Sequence, residues 1–240
     1  MAVDLKEIFA VRTAYNEDIN PQKIYLSLDE AKAFCEKKAQ YGYVVYNLED
    51  KPVYLPFGTL MASKILYNAK KVADYVNAKG YKYGHAQINP AIDRGATEKI
   101  VSCDRFVGWV LYRAGYTAHQ PSSIGLNIYG HNYDAGTYSL EWFCKAHGFT
   151  KITNINDVKA GDVIFVGDSQ EHVSLSAAMR NYPDHVFIAA SNYGADGCTY
   201  RYDAGSTARL VSVQPSYEAL SKPGKEFRFA YRAPWVINKK

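Results

Sequence analysis

The chain has 240 residues, is 48% hydrophobic and 22% charged, and carries a net charge of +4. That is enough apolar material for one or two globular domains with a real core, and an aromatic content of 14% excludes a disordered chain. No Lys/Arg block is long enough to argue for nucleic acid, and no apolar run approaches the about 18 residues of a membrane span.

The first 57 residues read as one small unit. "IFAVRTAY" predicts a strand. "SLDEAKAFCEKKAQYG" predicts a helix, because Ser27 and Glu30 have capping-box spacing and Gly42 closes it. Ala31, Phe34, Cys35 and Lys38 share one of its faces, which places Cys35 in a core. "YVVYNLEDKPVYL" reads as two short strands around a polar turn, so the unit is a βαββ module. It is small for independent stability and is expected to lean on a neighbour. "PFG" at 56 to 58 is the joint.

A second unit runs from 58 to 240. Ile65, Ala69, Val72 and Val76 make a helical stripe that Gly80 ends. A polar stretch then leads to "VSCDRFVGWVLYRAGY", where Phe106, Val110, Leu111 and Ala114 line one face of a helix over 104–114. "SLEWFCKAHGF" is a third helix burying Leu140, Phe143 and Cys144. Trp109 and Trp142 read as core. The period then changes: "AGDVIFVG", "DHVFIAAS", "TYRYDAGS" and "KEFRFAYRAPW" predict strands, while "EHVSLSAAMRN" fits either a short helix or a strand. Helices first and an antiparallel sheet afterwards is an α+β order.

Of the four cysteines, Cys35, Cys103, Cys144 and Cys198, none forms a C-x-x-C pair, so no zinc site is expected. Cys103 differs from the mid-helix Cys35 and Cys144 because it falls at a helix start. The free N–H groups and partial positive charge there favour a thiolate and can hold a developing oxyanion. Cys198 falls in a turn and carries no implied role.

A thiolate enzyme also needs a base. The histidines are His85, His119, His131, His147, His172 and His185. His147 sits by a helix C-terminus, and His119 and His131 lie in loops. His172 and His185 each precede an apolar run. Reflecting His185 about residue 194 of a turn-rich hairpin gives Asp203, at an even separation that puts both side chains on one face. His185 with Asp203 as its orienting partner is therefore preferred. His172, with a partner near Ser191 or Asn192, is the alternative if 172–178 is a strand.

The order of Cys103 at a helix start, a "GDVIFV" strand, and His on one strand with a polar residue on the next resembles the NlpC/P60 branch of papain-like cysteine peptidases. Those enzymes typically read D-C-S-G-F-V, where this chain has Ser102-Cys103-Asp104-Arg105-Phe106-Val107. "CDRFVGWVLYRAGY", "HVFIAAS" and "YRYDAGS" are similar to a divergent group from Firmicutes and their phages, in which the third member is the Asp of "RYDAGS".

The resemblance spans about residues 60 to 234 and implies a papain-like NlpC/P60 fold, peptidoglycan as partner, and no metal or organic cofactor. The bond it implies is the D-γ-glutamyl to diamino-acid bond of the stem peptide. A CHAP-type N-acetylmuramoyl-L-alanine amidase and a non-catalytic wall-binding protein on the same fold are the alternatives. Tyr83 matches an aromatic position that lines the oxyanion region of such enzymes. His85, Asp93 and Asp104 join it as candidate substrate contacts, and Arg105 can pair with Asp104 or a substrate carboxylate.

The first 57 residues are similar to a small module in clostridial phage endolysins, which implies a wall-binding or linking unit. The N-terminus "MAVDLKEIFAVRTAYNED" has no apolar run of signal-peptide length. The expectation is an endolysin made in the cytoplasm and released to the wall. The oligomeric state has no signature in the sequence.

Overall fold

The computed structural model describes residues 8–13, 23–58, 60–83, 99–116, 140–167, 185–193, 200–205, 211–215 and 226–234. They build an α+β fold from two antiparallel sheets, with helices packed on them and a parallel strand pair beside the larger sheet. Among the described residues no helix is long and apolar enough to cross a membrane.

The smaller sheet runs in the order β2-β1-β3-β4. Its strands are β1 (Phe9–Thr13), β2 (Lys23–Tyr25), β3 (Tyr43–Tyr46) and β4 (Pro52–Tyr54). Helix α1 (Leu28–Lys37) begins where the Ser27 hydroxyl accepts from the Glu30 N–H at 3.5 Å. It tightens into a 3-10 turn over Ala39–Tyr41 and stops at Gly42, whose φ of 79° is left-handed. Val11, Ala31, Cys35 and Val45 form the module's core. The order is ββαββ rather than βαββ. Strand β2 was not expected because its three residues, with Ile24 59% exposed, carry no apolar alternation.

Helix α2 (Leu60–Ala78) is buried on more than one face, with Met61, Ile65, Leu66, Ala69, Val72, Ala73 and Val76 all inaccessible. A helix apolar over so much of its circumference sits between two bodies. On one side it meets β1, β3 and the 3-10 turn of the small module. On the other it packs against α3 (Cys103–Arg113). Two glycines allow the close approach. A Cβ on Gly42 would lie 2.3 Å from the Ser63 carbonyl oxygen, and one on Gly161 would lie 2.9 Å from the Ala62 Cα. The module's expected dependence on a neighbour thus has a physical form: α2 is shared.

The larger sheet runs β11-β10-β9-β8-β12-β7. Its strands are β7 (Thr150–Ile152), β8 (Val163–Gly167), β9 (His185–Ala189), β10 (Tyr200–Ala204), β11 (Val211–Pro215) and β12 (Glu226–Arg232), and every described pairing is antiparallel. Val163, Phe165, Val186, Ile188, Tyr202 and Tyr231 pack with α2, α3 and α4 (Leu140–Ala146) in the main core. The alternate residues Ile164, Val166, Phe187, Ala189 and Ala230 form a second cluster with Val158. This is the two-residue period of a sheet buried on both faces. Strands β7 and β11 were not anticipated. The segment "EHVSLSAAMRN" lies outside the described residues.

Candidate active site

The approach to Cys103 is set by a short parallel pairing that the sequence did not reveal. Strand β5 (Lys82–Tyr83) lies beside β6 (Ile100–Val101), with Tyr83 opposite Val101. Strand β6 runs directly into Ser102, the N-cap of α3, and Cys103 is the first helical residue. Tyr83 is thereby brought next to Cys103 from twenty residues away.

Ser102 is extended, as an N-cap should be, but its hydroxyl makes no cap hydrogen bond. It donates instead to the Asp104 carboxylate. The first-turn N–H groups of α3 are therefore not claimed by the cap side chain. Arg105 is half buried. Burial pushes its guanidinium downward from its ordinary value, and the Asp104 charge opposes that shift.

The candidate base comes from the sheet. His185 opens β9, and its Nε2 donates to Asp203 Oδ1 of β10 at 2.6 Å. The pairs Arg201↔Ala189 and Tyr202↔Ile188 place the hairpin's centre one residue further along than position 194. Continued, this register sets Phe187 opposite Asp203, so His185 meets the carboxylate on the diagonal. The parity is unchanged, which is why both still share a face and remain within reach.

With Nε2 committed to Asp203, Nδ1 is left for Cys103, which lies within hydrogen-bond reach of the imidazole. Burial alone would lower the proton affinity of this ring. The Asp203 hydrogen bond and charge, together with the Cys103 sulfur, outweigh it and hold His185 at about 10. Tyr83 also reaches Cys103 by hydrogen bond. Burial and the negative groups around it, Cys103, Asp104 and Asp203, raise its phenol well above the ordinary value, so it stays a donor.

Asp203 is 5% exposed. Its second oxygen faces Arg201 Nη2 at 3.0 Å, and the Arg201 guanidinium lies 5.0 Å from the Phe187 ring centroid. Sequence reasoning passed over Arg201. The available signal was its position two residues before Asp203 on the same strand, hence on the same face.

The other candidates separate from this cluster. Asn192 accepts from the Ala160 N–H at 3.0 Å and so secures the turn before β8. His172, His85, Asp93, His119, His131 and Cys198 lie outside the described residues, as does the Trp142 side chain. His147 donates from Nδ1 to the Phe143 carbonyl at 2.8 Å, as a residue finishing α4. Trp109 is core, edge-on to Tyr75 at 5.5 Å.

Cys35, Cys103 and Cys144 are all buried, so burial does not distinguish the nucleophile candidate from the structural thiols. Their partners do. Burial drives Cys144 well above the usual thiol value, and burial with the Glu36 charge drives Cys35 to about 12. Among the described residues, Cys103 is the one of the three shown within reach of an imidazole.

The chain matches no protein-family model, no curated protein and no solved structure.

Proposed function

We propose that the protein is a thiol-dependent hydrolase of amide bonds in peptidoglycan, built as an NlpC/P60-type papain-like cysteine peptidase. The observation that carries the reading is the line Tyr83–Cys103–His185–Asp203, assembled from β5, α3, β9 and β10.

The attacking species is the thiolate, and an imidazolium at hydrogen-bond distance is its counter-charge. The Cys103 sulfur attacks the carbonyl carbon, forming a C–S bond and placing charge on the oxygen. The first-turn N–H groups of α3 and the Tyr83 hydroxyl are the donors available to that oxygen. His185 passes its Nδ1 proton to the amide nitrogen, the C–N bond breaks, and the amine departs. Water, deprotonated by His185, then adds to the thioester, the C–S bond breaks, and the acid departs with the thiolate and imidazolium restored. Asp203 fixes the tautomer throughout. Cys103 is buried at rest, so a substrate carbonyl reaches the sulfur only after a neighbour gives way.

The amide chemistry rests on this geometry. The polymer and the bond rest on the resemblance of "CDRFVGWVLYRAGY", "HVFIAAS" and "YRYDAGS" to wall peptidases. The expected bond joins D-γ-glutamate to the diamino acid, and the expected setting is an endolysin acting at the wall after release, with residues 1–57 as a wall-binding or linking module.

The test is mass spectrometry of purified peptidoglycan of several chemotypes, incubated with the protein and with Cys103→Ala. Stem-peptide fragments that the variant does not release support the reading. Free lactyl ends with intact stems assign the amidase bond instead. Release of nothing by either protein sinks the wall-hydrolase reading.

A further inference from the structure

We infer that Arg201 is a positioning residue of this site, a further member that holds Asp203 aimed at His185. The inference rests on the hydrolase reading above and adds a residue to it.

Asp203 is almost fully enclosed, and an enclosed carboxylate is costly unless a cation pairs with it. Its two oxygens are divided between two partners. Oδ1 accepts from His185 Nε2 at 2.6 Å, and Oδ2 faces Arg201 Nη2 at 3.0 Å. A carboxylate held at both oxygens cannot rotate away from the imidazole.

Arg201 is itself held. Its side chain is 15% exposed, and its guanidinium stands over the Phe187 ring at 5.0 Å. The same ring lies 6.0 Å from the His185 ring. Phe187 therefore forms a floor beneath both partners of the carboxylate. The strand period explains the grouping. His185 and Phe187 alternate along β9, Arg201 and Asp203 along β10, and the diagonal register brings the four side chains to one face. The other titratable groups near the pair are Cys103 and Asp104 from α3 and Tyr83 from β5. Among the charges named at this site, Arg201 supplies the cation on Asp203's second oxygen.

The experiment measures iodoacetamide labelling of Cys103 at pH 6, located by peptide mapping, in the full chain. Wild type, His185→Ala, Arg201→Met and Arg201→Lys are compared, with thermal midpoints alongside. Met retains a stem to lie on Phe187 and removes the charge; Lys retains the charge. Outer-shell partners that orient a metal-bound imidazole are worth about tenfold to a hundredfold, and that scale is taken for Arg201 by analogy. The expected result is that Arg201→Met labels at least about tenfold more slowly than wild type, while Arg201→Lys recovers most of the rate.

Equal rates in wild type and Arg201→Met overturn the inference and leave the hydrolase reading standing. So does a lysine variant no faster than the methionine one, because the charge then does nothing. If Arg201→Met does not fold, the lysine variant decides: labelling within about threefold of wild type is required. Wild-type labelling no faster than that of His185→Ala removes the triad itself, and the inference with it.

Discussion

A buried imidazole ordinarily gives up its proton more readily than a free one. At His185 the Asp203 carboxylate and the Cys103 sulfur reverse that tendency, and the group is held at about 10. A folded-state value above the unfolded one means that the pairing stabilises fully below the ordinary 6.5 and is lost as pH rises through about 10. The thermal midpoint of wild type should therefore exceed that of His185→Gln most near pH 6, and the gap should close toward pH 10. A gap that stays constant over that range contradicts the assignment. Tyr83 is argued as a donor to the oxyanion, so Tyr83→Phe should lower kcat about a hundredfold with little change in KM. An unchanged kcat would return Tyr83 to a packing role. At this scale part of the candidate site's geometry was legible. The helix start at Cys103 was readable, and the His185–Asp203 contact followed from parity even though the assumed cross-strand partner was off by two residues. Arg201 was missed because a charged residue on an alternating strand looks like a solvated face until the fold shows it enclosed.

Elements were legible where their periods were long. Helix α1 showed its start at Ser27 because capping is local chemistry, whereas it ends at Lys37 and Gly42 closes the 3-10 turn that follows. Helices α2, α3 and α4 followed from their stripes. The two-residue strands β5 and β6 have no period to read, and their pairing joins segments separated by a loop; yet they carry Tyr83 to Cys103. Strands β2, β7 and β11 are short or lie at or near sheet edges, where tertiary contact rather than pattern decides. The glycine that closes the 3-10 turn does more than close it. Gly42 combines a left-handed φ with an approach to α2 that leaves no room for a Cβ. Gly42→Ala should destabilise the protein by about 3 kcal/mol, from backbone strain and overpacking together. Urea unfolding that shows less than about 1 kcal/mol would mean that the module does not press on α2 as described.

The whole molecule is organised around that shared helix. A boundary at residue 57 divides the chain by sequence, but α2, just beyond it, contributes to both bodies, and Tyr202 of β10 donates to the Gln40 carbonyl at 2.8 Å across the same junction. The main core and the small module are thus joined across one element. Calorimetry of the full chain should give one cooperative transition, and two resolved transitions would show that the module folds independently.

The central claim is that Cys103 forms a covalent acyl intermediate. It is tested most directly by mixing the protein with muropeptides released from peptidoglycan by a muramidase, quenching in acid, and mapping adducts by mass spectrometry. The prediction is an acyl fragment on Cys103 whose mass equals the carbonyl side of the cleaved bond, reduced in His185→Ala. Cleavage that proceeds at the wild-type rate in Cys103→Ala, with no adduct on Cys103 in wild type, would contradict it.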